Sequence, residues 1–281
     1  MPVTSSFAIC PLAAVAVRVR PDHGAAQLTQ LLFGERVSVL QHNGKGWSKV
    51  RCVPGTATGW VMADQLAPTA DEVPDFAYSL EMLHVAVGDT VQRIPFGGLL
   101  PHYDGLRFRM GQRAYSFNGQ AVAPDLLDPY AELVAKLALR FVGAPYLSGG
   151  RTVLGIDETG LWQLIFRLVG IELPRRLDAL VRRGSDVGFV QRAAPGDLCF
   201  FTGTHSKLIK VGMLLDDGRL LHVRDRVRVD AWQPHGWTLP DGGHGSTYTL
   251  RTVRRLLPDL PRYRRGSGPR RGRGGKQFEL F

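Results

Sequence analysis

The chain has 281 residues, 44% of them hydrophobic, which leaves room for two or three domains with cores of their own and excludes a fibrous or wholly disordered polypeptide. No apolar run approaches the ~20 residues of a membrane span, so no membrane partner is expected. The net charge of +10 is uneven: residues 262–281 carry six arginines and one lysine against one glutamate, a net +6 that leaves +4 for the rest, so the folded body is not a polycation.

Met1 to Val17 contains an apolar patch without a basic leader, and it alternates directly into Arg18-Val19-Arg20. It reads as a strand rather than a signal peptide, which favours a cytoplasmic location. Residues 7–66 continue as short strands broken by Gly, Pro and Asn. Ala14 to Arg20 alternates, Leu31 to Leu40 joins a Gly34-Glu35 turn to a strand, and Trp47 to Val53 follows a turn at His42 to Gly46. Arg18, Gly34-Glu35, Trp47 and Gly59-Trp60 are in the positions of a bacterial SH3-like barrel, which this stretch resembles; such barrels bind peptides or dock on a neighbour. Ala67 to Asp75 is a Pro-, Ala- and acid-containing linker. Residues 76–124 hold further short strands with turns at Gly97-Gly98 and Asn118-Gly119 and read as a second SH3-like barrel with a weaker pattern.

Asp128-Pro129 is expected to open a helix, with Leu133, Leu137 and Phe141 on its apolar face. A Gly-rich loop with Gly149, Gly150 and Gly155 then delivers Asp157 to Gly160 to the start of a second helix. There Leu161, Leu164, Ile165, Leu168 and Val169 recur at helical spacing, and Gly170 suits the C-terminal cap. Backbone N–H groups and the positive dipole end converge at such a helix start, which suits a thiolate or an oxyanion. Asp178 to Val190 is a polar connector. Strands follow at Asp197 to Thr202, Leu208 to Leu215, Arg219 to Val223, Arg226 to Asp230 and Thr249 to Leu257, with a hairpin turn at Asp217-Gly218.

Pro145 to Gly150, Gly155 to Gly160, Leu173 to Arg176, Pro195 to Phe201, Val211 to Leu215 and Leu220 to Val223 together resemble the linked motifs of the NlpC-type cysteine peptidases, papain-like enzymes that cut bacterial cell-wall peptides. The resemblance covers roughly residues 126–260. It implies an α+β fold: a helix presenting the site against a small antiparallel sheet, with two SH3-like barrels in front. The implied domains are 1–67, 76–124 and 126–260, followed by a tail at 261–281. Tandem barrels before such a domain are seen in cytoplasmic enzymes that trim recycled wall peptides.

The departures bear directly on function. Glu158 stands where the family has its nucleophilic cysteine and Lys210 where it has its histidine, while the third polar member survives as His222. The spacings, 52 residues from 158 to 210 and 12 from 210 to 222, support this correspondence. Ser148 replaces the loop tryptophan, and Arg176 replaces the aspartate after Leu-Pro-Arg. A carboxylate is a weak nucleophile towards amides, and a lysine is a poor base near neutral pH unless strongly desolvated. The expectation is a Glu158–Lys210 ion pair in a site without catalysis. The substrate-lining positions of the family fall on Tyr146, Asp157, Thr159, Arg175 and Arg176. An inward Arg176 favours an anionic ligand; a solvated Arg176 contributes nothing. The ligand this implies is muropeptide-like. A hydrolase with rearranged chemistry is the rival reading.

No cofactor is called for. A metal site from Asp157, Glu158, His205 and His222 has nothing in its spacing to recommend it. Cys10, Cys52 and Cys199 have no metal spacing, and none opens a helix beside a histidine, so they read as small hydrophobes. Pro261 to Lys276 is Arg/Gly-rich with only Tyr263 among large apolar side chains, and is expected to be disordered and able to meet nucleic-acid phosphates. The terminal Gln277-Phe278-Glu279-Leu280-Phe281 resembles the bacterial sliding-clamp-binding peptide, with Gln277, Leu280 and Phe281 matching. That resemblance implies an alternative role as a DNA-associated adaptor.

Overall fold

The structure is a computed structural model and describes residues 6–53, 55, 57–69, 75–203, 208–231, 237–239 and 246–258. Seven strands come first: β1 (Ser6–Ile9), β2 (Ala14–Arg18), β3 (Gln27–Leu32), β4 (Arg36–His42), β5 (Trp47–Val53), β6 (Thr58–Met62) and β7 (Ala67–Thr69). They form one sheet in the order β3-β2-β6-β5-β4-β1-β7. The alternation seen in the sequence fixes the register: Val15 and Val17 are buried while Ala14, Ala16 and Arg18 are half-buried. They meet Leu31, Val37, Val50 and Val61 in a compact core. The turn before β5 is held by the Asn43 carboxamide oxygen, which accepts the N–H groups of Lys45 at 2.8 Å and Trp47 at 3.1 Å.

Seven shorter strands follow: β8 (Phe76–Ser79), β9 (Leu83–Val87), β10 (Val91–Pro95), β11 (Leu99–Pro101), β12 (Arg107–Met110), β13 (Arg113–Ser116) and β14 (Ala121–Val122). They make a four-stranded sheet, β10-β9-β13-β12, and a three-stranded sheet, β11-β8-β14. Their core includes Phe33 from the first unit, set edge-on to Phe108 at 5.5 Å, so the two units share a seam rather than a hinge.

The third region begins with α1 (Ala131–Leu139), the hairpin β15 (Arg151–Thr152) and β16 (Gly155–Ile156), α2 (Glu158–Leu168) and the short α3 (Leu177–Leu180). Strands β17 (Ser185–Asp186), β18 (Leu198–Thr202), β19 (Leu208–Leu214), β20 (Arg219–Val223), β21 (Val227–Ala231), β22 (Trp237–Leu239) and β23 (Ser246–Arg255) form an antiparallel sheet in the order β17-β23-β18-β19-β20-β21, with β22 beside β23. Three expectations need correction. Ala67–Thr69, expected to begin a linker, instead closes the first sheet as β7 by pairing with β1. The first helix starts at Ala131, with Tyr130 at the cap and no side-chain bond there, so Asp128 and Pro129 lie before it. The connector after residue 178 is partly ordered: α3 crosses it, and Ser185–Asp186 pairs with Arg254 and Arg255.

The end of α2 is a Schellman turn. Gly170, at φ +76°, donates to the Arg167 carbonyl at 3.1 Å, and Ile171 donates to that of Phe166 at 2.9 Å. The helix is buried almost all round, well beyond the apolar stripe of its sequence. One face meets the sheet through Val211, Met213 and Leu221. The same core runs on into Leu32, Tyr78, Phe96 and Leu99 of the two N-terminal units. Among the described residues no helix is long and apolar enough to cross a membrane.

Candidate functional site

Asp157 is the N-cap of α2 and organises its start. Its carboxylate accepts the backbone N–H of Gly160 at 2.8 Å and of Gly149 at 2.8 Å, together with the Thr159 hydroxyl at 3.3 Å. The glycines allow this closeness. Gly149 sits at φ +78°, and a Cβ there would lie 2.7 Å from the Gln27 carbonyl oxygen of β3. A Cβ on Gly160 would lie 2.3 Å from the Gly150 carbonyl oxygen. The preceding loop is stitched to the β20–β21 turn, with Gly143 donating to Val227 at 2.9 Å and Tyr146 to Asp225 at 2.8 Å.

Arg175 joins this cap. Its guanidinium donates to Asp157 at 2.7 Å, to the Thr159 hydroxyl, and to the Thr29 hydroxyl of β3 at 3.2 Å. Asp157, Thr159 and Arg175 are therefore brought together, with Thr29 as a contributor from the first unit that sequence reading did not single out. Tyr146 stands at the exposed rim; partial burial and the nearby Glu158 carboxylate raise its phenol pKa. Arg176 turns away. It pairs with Asp178 at 2.7 Å, and its side chain is 81% exposed, so the inward orientation that would make it a charge-inverting contact in the cleft does not occur.

Glu158 is the first residue of α2, and Lys210 projects from the facing strand β19. The Lys210 ammonium donates to the Glu158 carboxylate at 2.5 Å and to the Val223 carbonyl at 2.9 Å. Both side chains are largely covered, at 13% and 15% exposure. His222, opposite Gly212 in the sheet, is fully buried and bonds through Nε2 to Asp230 at 2.8 Å. Arg228 holds the same carboxylate at 2.8 Å. Asp230 is a partner that sequence reading missed; its place opposite Leu220 across the β20–β21 ladder was not legible without the pairing.

Burial pushes the His222 imidazole down to about 4 against the pull of Asp230. Unfolded, the ring takes its proton near 6.5, so between those values the unfolded chain binds more protons than the folded one. Stability from this group is present above pH 6.5 and is lost as pH falls towards 4, by up to about 3 kcal/mol. Urea unfolding across that window reads the slope, and His222→Gln should flatten it. A wild-type profile without any fall between pH 6.5 and 4 would contradict this.

Among the described residues no group of three or more His, Cys, Asp or Glu side chains is arranged to hold a metal ion. Asp157 and Glu158 are instead committed to Arg175 and Lys210. His205 and the tail with Gln277, Leu280 and Phe281 lie outside the described residues. The thiols are poor nucleophile candidates: burial pushes Cys10 and Cys52 up to about 12 and raises Cys199 as well.

The site is anchored from the N-terminal side by a buried charge cluster. The Glu35 carboxylate receives Arg151 at 2.8 and 3.0 Å and also Arg167 of α2, which in turn lies over the Tyr78 ring at 5.1 Å. Burial works to raise the Glu35 pKa, but the two guanidiniums outweigh it and hold the group at about 2. The Arg151 backbone N–H is also bound by Gln30 at 2.7 Å. Strand β3 thus forms one wall beside the loop that delivers Asp157.

A helix N-terminus thus stands against an antiparallel sheet, with Glu158 and Lys210 facing each other across the gap. Residues 143–241 match the NlpC/P60 family, and residues 17–66 match the bacterial dipeptidyl-peptidase SH3 domain. The chain carries an NlpC/P60 domain behind a bacterial SH3 domain. A γ-D-glutamyl-L-lysine dipeptidyl-peptidase of Bacillus subtilis is 27% identical over 212 residues, 69% of this chain and 71% of that protein. A probable endopeptidase of Mycobacterium tuberculosis is 35% identical over 101 residues, 36% of this chain and only 25% of its own length. The crystal structure of an NlpC/P60 family protein from Bacillus cereus superposes with a TM-score of 0.75 at 22% identity, covering 90% of this chain and all of that one.

Proposed function

We propose that this chain is a catalytically inactive relative of the NlpC/P60 peptidoglycan hydrolases, retained as a binding protein for a wall-peptide-like ligand. One observation carries the reading: an ammonium and a carboxylate are in contact at 2.5 Å, at the positions that the sequence motifs align with the family's histidine and cysteine. The carboxylate cannot serve as the thiolate does, and the ammonium has no lone pair to accept a proton. The residues that would grip a ligand remain assembled: Asp157, Thr159 and Arg175 form one hydrogen-bonded group, and Tyr146 stands at the rim. Residues 76–124 are read as a second SH3-like barrel supporting that cleft. The test is incubation with γ-D-glutamyl-diamino acid peptides. Product should form no faster than with the Glu158→Ala variant; turnover clearly above that control overturns the reading in favour of a hydrolase with rearranged chemistry.

A further inference from the structure

Between the first unit and α2 lies a cavity of about 760 Å³, separate from the Glu158–Lys210 gap. That volume is in the range of small-molecule sites. Its chemistry is one-sided. Glu35, Arg151 and Arg167 are in its lining, and there one buried carboxylate faces two buried guanidiniums. Arg151 Nε is buried and has no hydrogen-bond partner among the described residues. Arg36, also buried, adds a third guanidinium to the lining. Arg175, Arg176 and Arg183 complete it on the side of the third region.

The described lining thus holds six arginines against two glutamates, Glu35 and Glu172, a balance of +4. Setting Arg36 aside and counting Asp157 and Asp178, which hold Arg175 and Arg176, still leaves +1. Excess positive charge with a buried, unsatisfied donor is costly unless an anion answers it. Guanidiniums answer carboxylates and phosphates best, because their paired N–H groups match two oxygens at once.

We infer that this cavity is a binding site for a small polyanion, a molecule bearing at least two carboxylate or phosphate groups. Arg176 and Arg183 are exposed and receive the ligand. Arg151 and Arg167 below them supply the field. The site is independent of whether the Glu158–Lys210 cleft turns over a peptide, so the peptidase assay and the binding assay fail separately.

Calorimetric titration of the full chain at low ionic strength with citrate and with pyrophosphate tests it, the two probes separating carboxylate from phosphate chemistry. Saturable binding tighter than about 1 mM is expected for at least one, and the tighter probe identifies the source. Arg176→Ala with Arg183→Ala, checked for folding by circular dichroism, should weaken that binding by roughly tenfold or more. No saturation by either probe up to about 10 mM, or a loss below roughly threefold in a folded double variant, overturns the inference.

Discussion

Replacing Glu35 with glutamine will lower the unfolding free energy by about 3–5 kcal/mol, read as a shift in the urea midpoint at pH 7. The carboxylate is 6% exposed and takes hydrogen bonds from Arg151, Arg167 and the Leu32 backbone N–H, the last at 2.9 Å. An amide cannot offset either guanidinium, so two buried cations would be left facing one another. The acid limb should change with it. Glu35 is held at about 2 against an ordinary 4.5, so its stabilisation is present above pH 4.5 and disappears as pH falls towards 2. The glutamine variant loses that limb. Replacing Glu35, Arg151 and Arg167 together by leucine or methionine should recover much of the loss, because the desolvation cost leaves with the charges. A glutamine variant within about 1 kcal/mol of wild type would show that the cluster is not buried as described.

Exchanging Glu158→Cys together with Lys210→His will create a thiol that reacts with iodoacetamide at pH 6 at least roughly tenfold faster than free cysteine. Position 158 opens α2, where unpaired N–H groups and the helix dipole favour an anion, and the Lys210 side chain shows that a cation from β19 reaches it. The background is quiet, since Cys10 and Cys52 are pushed up to about 12. His222 of the adjacent strand β20, held by Asp230 of β21, stands ready to orient an introduced imidazole. Mass spectrometry of the alkylated chain gives the rate and the site. Reaction no faster than that of free cysteine would mean that the helix start no longer lowers a thiol's pKa here.

What was legible in the sequence was what repeats or punctuates. Alternation placed β2, the Asp217-Gly218 turn placed the β19–β20 hairpin, and Gly170 marked the end of α2. The Glu158–Lys210 contact was legible because linked motifs fixed both positions. Arg167 was not. It lies outside the apolar stripe of α2, where a cation ordinarily faces water, and it is buried only because Glu35, 132 residues earlier, meets it. Asp230, Thr29 and Arg151 were missed for the same reason: each owes its role to a partner on another strand or domain, and no local pattern announces such a pairing. The start of α1 slipped by about two residues because Asp128-Pro129 supplies capping chemistry without the chain using it, within the usual uncertainty of helix ends.

The contact between positions 158 and 210 has a consequence for any visiting molecule. A charged papain-like couple places a negative sulfur at the helix start and a positive ring opposite. Carboxylate and ammonium keep those signs in the same order, 2.5 Å apart. The cleft therefore retains the polarity of a working peptidase while its negative end is a weak attacker of amides. On the function proposed above, a wall peptide would meet the same electrical address without the group that cuts.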